Sequence, residues 1–197
     1  MGKLFIIMGK SATGKDTIYK RIAEDKELNL KTVVIYTTRP IRKGETDGVE
    51  YHFVTVEQMN KMIEDKKVIE RRTYPTVVGD WHYFTANDGQ IDLEGNNYLM
   101  ISTLAGYEQI RNYYGSEKVV PIYIEVKDKD RLLRSVEREI RQKKPNFSEV
   151  CRRYLADEAD FSEEELKRLC INYRYENDNL DICTEKVRKV ICENLNG

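Results

Sequence analysis

Gly9-Lys-Ser-Ala-Thr-Gly14-Lys15-Asp16-Thr17 has two glycines separated by four residues and a lysine directly after the second. That spacing suits a loop whose backbone N–H groups turn inward around a phosphate while the ammonium reaches the β and γ oxygens of a nucleotide. Gly9, Ser11, Ala12, Thr13, Gly14, Lys15, Asp16 and Thr17 are the candidate ATP-binding residues. The position after the lysine ordinarily carries a Ser or Thr hydroxyl that reaches Mg²⁺, and here it is Asp16. Magnesium takes oxygen ligands and keeps several waters, so Asp16 is the candidate metal ligand, directly or through water. With no metal between them, the same carboxylate repels the phosphates.

Phosphoryl transfer calls for neutralising spread negative charge and excluding water more than for covalent chemistry, which requires arginines around both substrates. Thr37-Thr-Arg39-Pro-Ile-Arg42 supplies two at a three-residue spacing, with Asp47-Gly48 as a turn and Tyr51 beyond it. Arginine forks bind phosphate dianions bidentately, and a tyrosine hydroxyl adds a directional donor. Arg134, Arg138 and Arg141 follow i, i+4, i+7 spacing, so one helix face carries all three guanidinium groups, with Arg153 further on. Such a stripe can close over ATP and the transferring group; the alternative is a solvated face paired with Glu137 and Glu139. Glu70 ends the stretch Lys67-Val-Ile-Glu70, where a carboxylate accepts two hydrogen bonds from a base edge. Guanine has the adjacent N–H donors for that, and adenine does not.

These groups need elements to hold them. Lys3–Met8 is a short apolar run typical of a buried parallel strand, and Ile18, Ile22 and Ala23 begin a helical pattern after the loop. Apolar runs recur at Thr32–Tyr36, Tyr98–Ser102 and Val119–Val126, and their alternation with helix-like sequence predicts a parallel sheet wrapped by helices. Pro121 lacks a ladder donor and belongs at the start or edge of its strand. Between Thr37 and about Gly95, glycines, charges and aromatics dominate around one amphipathic helix over Val56 to Lys67, the pattern of an insertion beside the core. Asp128 to Leu169 reads as two charged helices broken at Lys143-Lys-Pro145-Asn. Ser148 is the expected cap of the second, and Val150, Tyr154, Leu155 and Ala159 its buried stripe. A last helix from about Glu185 to Leu195, capped by Thr184, turns Val187, Val190, Ile191 and Cys192 inward.

A chain of 197 residues fits one domain with embedded subdomains. The net charge of −1 gives no global attraction to nucleic acid or an anionic membrane, so phosphate recognition must be local. No apolar stretch approaches the ~18 residues of a membrane span, and no signal peptide is visible. A cytoplasmic location is the default expectation. Cys151, Cys170, Cys183 and Cys192 form no CxxC or Cys/His pairing, so they are expected to be reduced, small core residues. His52 and His82 follow no zinc spacing, and neither has a metal role.

Four blocks resemble guanylate kinase: Gly9 to Thr17, Thr37 to Val54, Gly79-Asp-Trp-His-Tyr83-Phe-Thr85, and Tyr175-Glu-Asn177-Asp178-Asn-Leu180. The resemblance spans most of the chain and implies an α/β P-loop kinase fold, a central parallel sheet flanked by helices. The implied divisions are a core (1–36, 96–135 and 160–197), a nucleotide-monophosphate-binding insertion (37–95) and a helical lid (about 136–159). It implies MgATP-dependent phosphorylation of GMP, possibly dGMP, to GDP by a monomer or homodimer. Arg39, Arg42, Tyr51 and Tyr83 would hold the acceptor phosphate, Glu70 and Thr85 would read the base, and Asn177 matches an asparagine near the adenine. Lys15, Arg39, Arg134, Arg138 and Arg153 would carry catalysis around the transferred phosphoryl. The chain departs from the family pattern at Ile35, which replaces a base-contacting serine. It departs again at Ile101-Ser-Thr103, where acidic residues are usual and Thr103 is left as the base-side residue, and at Asp16. Ribose 1,5-bisphosphate kinase resembles guanylate kinase, shares the Gly-Lys-Asp loop, and is the rival reading. A non-catalytic guanylate-kinase-like interaction module is a third, opposed by the intact Gly9, Gly14 and Lys15.

Overall fold

The computed structural model describes residues 1–76 and 79–196; positions 77 and 78 of the expected insertion and position 197 of the expected core lie outside the described residues. The chain opens with strand β1 (Leu4–Met8), helix α1 (Lys15–Glu24) and β2 (Leu30–Thr32). It continues through β3 (Tyr36–Thr37), β4 (His52–Phe53), α2 (Val56–Glu64), β5 (Val68–Thr76) and β6 (Gly79–Ala86). The remainder is β7 (Asn97–Ile101), α3 (Leu104–Tyr114), β8 (Val119–Glu125), α4 (Asp128–Ile140), α5 (Phe147–Asp160), α6 (Glu163–Arg168), β9 (Arg174–Glu176) and α7 (Leu180–Asn196).

Strands in the order β2-β7-β1-β8-β9 make an all-parallel sheet with β1 at its centre. Every residue of β1 is buried, which is why it reads as a continuous apolar run. Its two-residue period sends Leu4, Ile6 and Met8 into one core with residues of α3 and α6, and Phe5 and Ile7 into a second with residues of α1 and α7. A smaller mixed sheet, β4-β3-β6-β5, packs on α2 through Met59, Phe84 and Ala86. This is the expected α/β architecture, a parallel sheet flanked by helices.

Several local expectations are corrected. The run Thr32–Tyr36 is divided between the two sheets: β2 ends at Thr32 and β3 begins at Tyr36. Helix α2 ends at Glu64, because Lys66 turns to a left-handed φ of 55° that no helix can carry through. Its start is set by a capping box between Thr55 and Gln58. Asn146, not Ser148, caps α5, accepting from the Glu149 N–H at 3.1 Å. Leu155 and Ala159 are exposed, leaving Val150 buried and Tyr154 half-buried, because α5 packs against a charged cluster, with Arg131 over the Tyr154 ring. Helix α7 starts at Leu180, with the Asn179 side-chain oxygen accepting from the N–H groups of Asp181 and Ile182. Thr184 lies one turn inside, its hydroxyl donating to the Leu180 carbonyl. Pro121 is the third residue of β8, two residues before pairing with β9 begins at Tyr123, so that side of the strand is an edge there. Cys183 is buried, which pushes its thiol up to about 11, and Cys192 is half-buried, but Cys151 and Cys170 are exposed rather than core residues. Among the described residues, no helix is long and apolar enough to cross a membrane.

Candidate active site

The phosphate-binding loop leaves the C-terminal end of β1 and enters α1 through Gly14, whose φ of 81° lies in the left-handed region. A Cβ there would stand 2.5 Å from Nδ2 of Asn177, and one at Gly9 would stand 2.5 Å from the Ile124 carbonyl oxygen. Both positions are closed to larger residues. Ala12 also adopts a left-handed φ, 63°. Buried Thr13 donates its hydroxyl to the Lys10 carbonyl and accepts at its own carbonyl from Nδ2 of Asn177 at 2.7 Å. Asn177 is tied by its backbone N–H to Glu125, and its carbonyl accepts from Arg134 at 3.1 Å. The asparagine thus braces the back of the loop, with Arg134 behind it. Lys15 and Thr17 lie in the first turn of α1, whose N-terminus favours anions. Asp16 is beside them and well exposed, its carboxylate 3.7 Å from the Lys15 ammonium.

The second sheet gathers the acceptor-side candidates. Thr37 is buried under its centre and accepts from the Arg39 N–H. Arg39 is only 3% exposed, and its guanidinium grips Glu45 through two hydrogen bonds of 2.8 and 2.9 Å. It lies over the rings of Tyr51 and Phe53 at 5.2 and 5.4 Å. Tyr83 meets Tyr51 edge to face, and Arg39 is held above its ordinary basicity by Glu45 first and by the Tyr83 hydroxyl after it. Arg39, then the Arg42 N–H, holds the Glu45 carboxyl below the usual range. Arg42 itself is exposed, 6.0 Å from the Trp81 ring. Burial pushes the Tyr51 hydroxyl up, keeping it a proton donor at neutral pH.

Glu70 is 1% exposed and stands opposite Thr85 in the β5–β6 ladder, just past a register shift between Val68 and Glu70 that leaves the neighbours Ile69 and Glu70 both buried. It accepts from the Thr85 hydroxyl at 2.9 Å and from Nε and Nη2 of Arg72, each at 3.1 Å. Thr103 caps α3, its hydroxyl oxygen accepting from the Gly106 N–H. A Cβ on Gly106 would lie 3.3 Å from Oε2 of Glu70, so the start of α3 faces the buried carboxylate.

Arg138 and Arg153 line one cleft with Ser11, between the loop and helices α4 and α5. Arg153 donates to Glu149, whose carboxyl is pulled down to about 2 by Arg152 first and Arg153 second. Arg141 is exposed at the end of α4, outside that cleft. Sequence reasoning missed Arg131, the residue of α4 that joins the carboxylates of α5 beside the loop. It is 1% exposed, pairs with Asp128, Asp157 and Glu158, and lies 4.2 Å from the Tyr154 ring centre. Asp157 in turn accepts from the Ser11 N–H at 2.7 Å, and Glu158 from Lys10 at 2.8 Å. The available signal was its i, i+3 relation to Asp128 on a helix; for Arg72 it was the i, i+2 relation to Glu70 on a strand.

Residues 1–194 match the family model described as guanylate kinase. A guanylate kinase from Porphyromonas gingivalis is 31% identical over 196 residues, covering 98% of each chain. Another, from Zymomonas mobilis subsp. mobilis, is 31% identical over 199 residues, covering 96% of this chain and 83% of that one. The crystal structure of guanylate kinase from Anaplasma phagocytophilum is similar with a TM-score of 0.68 at 19% identity, over 98% of this chain and 85% of that chain, a likeness of fold.

Proposed function

The chain belongs to the guanylate kinase family, and from that membership we propose that it transfers the γ-phosphoryl group of MgATP to GMP, giving ADP and GDP. One observation carries the choice of acceptor: a buried carboxylate, Glu70, hydrogen-bonded to Thr85, lies on the same sheet as the Arg39, Tyr51 and Tyr83 cluster. A carboxylate beside a phosphate clamp matches a ligand with both a phosphate and an adjacent pair of N–H donors.

In this reading, the loop amides and Lys15 hold the ATP phosphates. Arg39, Arg42, Tyr51 and Tyr83 hold the GMP phosphate, Glu70, Thr85 and Thr103 border the base, and Arg138 and Arg153 approach the transferring group from the lid. Arg134 and Asn177 serve the donor side by bracing the loop. Glu45 and Pro40 take three of Arg39's five N–H donors, so the guanidinium is held in one orientation beside Tyr51 and Tyr83. Among the described residues, no group of three or more His, Cys, Asp or Glu could hold a metal ion by itself. A single exposed carboxylate at Asp16 nevertheless fits Mg²⁺, which takes most of its shell from water and substrate phosphates. When bound, that ion supplies charge neutralisation at the phosphates. Residues 37–95 would be the acceptor-binding unit and about 136–159 the lid, in a cytoplasmic enzyme.

Steady-state assays with each nucleoside monophosphate test this directly. GMP should accelerate ATP turnover by orders of magnitude over AMP, CMP and UMP, and no acceleration by GMP would overturn the assignment.

A further inference from the structure

The Glu70–Arg72 contact has the same chemistry as the recognition proposed for the base. Guanine presents N1–H and N2–H on either side of one carbon, and arginine presents Nε–H and Nη2–H in the same donor–carbon–donor fork. In the structure it is Arg72 that places this fork on both oxygens of Glu70. Oε1 accepts from Nη2 and from the Thr85 hydroxyl, and Oε2 accepts from Nε. A carboxylate has about four acceptor sites, so three are filled and the remaining one is on Oε2. A guanine edge needs one on each oxygen.

A second observation marks the same spot. The Ser102 hydroxyl is buried and has no hydrogen-bond partner among the described residues. A Cβ on Gly106 would stand 2.3 Å from that hydroxyl and 3.3 Å from Oε2 of Glu70. The unfilled acceptor and the hydroxyl without a partner among the described residues therefore flank one point at the start of α3, and a buried hydroxyl in that state calls for a partner that the described side chains do not supply. Arg72 lies on β5 opposite Tyr83, so the competing fork stands at the side of the acceptor cluster.

We propose that Arg72 is a specificity-determining residue, a guanidinium within the chain that competes with the guanine edge for Glu70. This rests on the GMP reading above. Base selectivity is then set by the difference between two similar forks on one carboxylate, and the acceptor must displace Arg72 to be read.

The discriminating pair is GMP and IMP, because hypoxanthine has N1–H but no N2 amino group. Calorimetric titration of each into the parent chain, Arg72→Ala and Arg72→Lys separates the possibilities. The lysine variant keeps the positive charge beside Glu70 and removes only the planar fork, so it decides the matter if the alanine variant does not fold. Competition predicts that GMP binds about tenfold tighter in the variants while IMP changes less, so the GMP/IMP preference rises. A preference that is unchanged, or that falls because Arg72 was supporting Glu70, overturns the proposal while leaving the kinase assignment standing. If ATP binds to parent and variants but GMP binds to none of them, the GMP reading fails and this inference fails with it.

Discussion

At the residue scale, the candidate acceptor side shows charges already joined in pairs. Arg39 is held by Glu45 and Glu70 by Arg72, both inside the protein rather than on its surface. An arginine oriented by a carboxylate presents a fixed fork to a phosphate, whereas a free one must be ordered by the ligand. Glu45→Ala should therefore raise KM for GMP by about tenfold and leave KM for ATP unchanged, and steady-state titration of each substrate checks it. Equal changes in both constants would mean that Arg39 does not serve the acceptor. Much of the candidate site's geometry was legible in the sequence, because Arg39, Tyr51 and Tyr83 meet, and Glu70 pairs with Thr85, in the blocks that suggested them. The internal partners were not, since nothing in Thr37 to Val54 distinguishes a Glu45 that grips an arginine from one that faces water.

Among the elements, α5 is the least like its sequence reading, and the reason is electrostatic. Its pattern of Val150, Tyr154, Leu155 and Ala159 promised an apolar stripe, yet its neighbours are arginines and carboxylates, so Leu155 remains exposed. Hydrophobic periodicity predicts a helix but not the chemistry of the surface that meets it. Glu149, in the first turn, is pulled from an unfolded value near ~4.3 down to about 2, chiefly by Arg152. Its contribution is thus fully present above the unfolded value and is lost as pH falls towards 2. Asp160, at the other end, is raised by burial and then by Asp157, so its effect has the opposite sign and weakens the fold as pH rises through the shifted value. The difference in thermal midpoint between the parent chain and Glu149→Gln should be largest near pH 6 and should shrink towards pH 2.5. A difference independent of pH would show that the depression of Glu149 comes to nothing in solution.

Across the whole molecule, the parallel sheet carries the loop on β1 and its asparagine brace at the end of β9, while the acceptor cluster stands on a separate sheet. The two cores of the parallel sheet were readable from β1 alone, because its side chains alternate between them. The connection from the loop to α5 was not readable, since it joins residues more than a hundred positions apart through charges. Arg131 is its centre, a buried guanidinium whose three carboxylate partners reach the surface to differing extents, Asp157 the least, and whose Nε has no partner among the described residues. Losing the guanidinium leaves the largely buried Asp157 without its cation while Asp128 and Glu158 regain water, so Arg131→Met should cost about 1–3 kcal/mol, more than the loss of a surface pair. Asp157 would lose its main cation while still facing the Ser11 N–H, so the loop and α5 should loosen together. Hydrogen exchange on the variant should therefore show faster amides in residues 9–14 and in α5, with β5 and β6 unchanged. Faster exchange confined to α5 would mean that the loop holds its shape without that helix, and that the carboxylates of α5 rest against it rather than shape it.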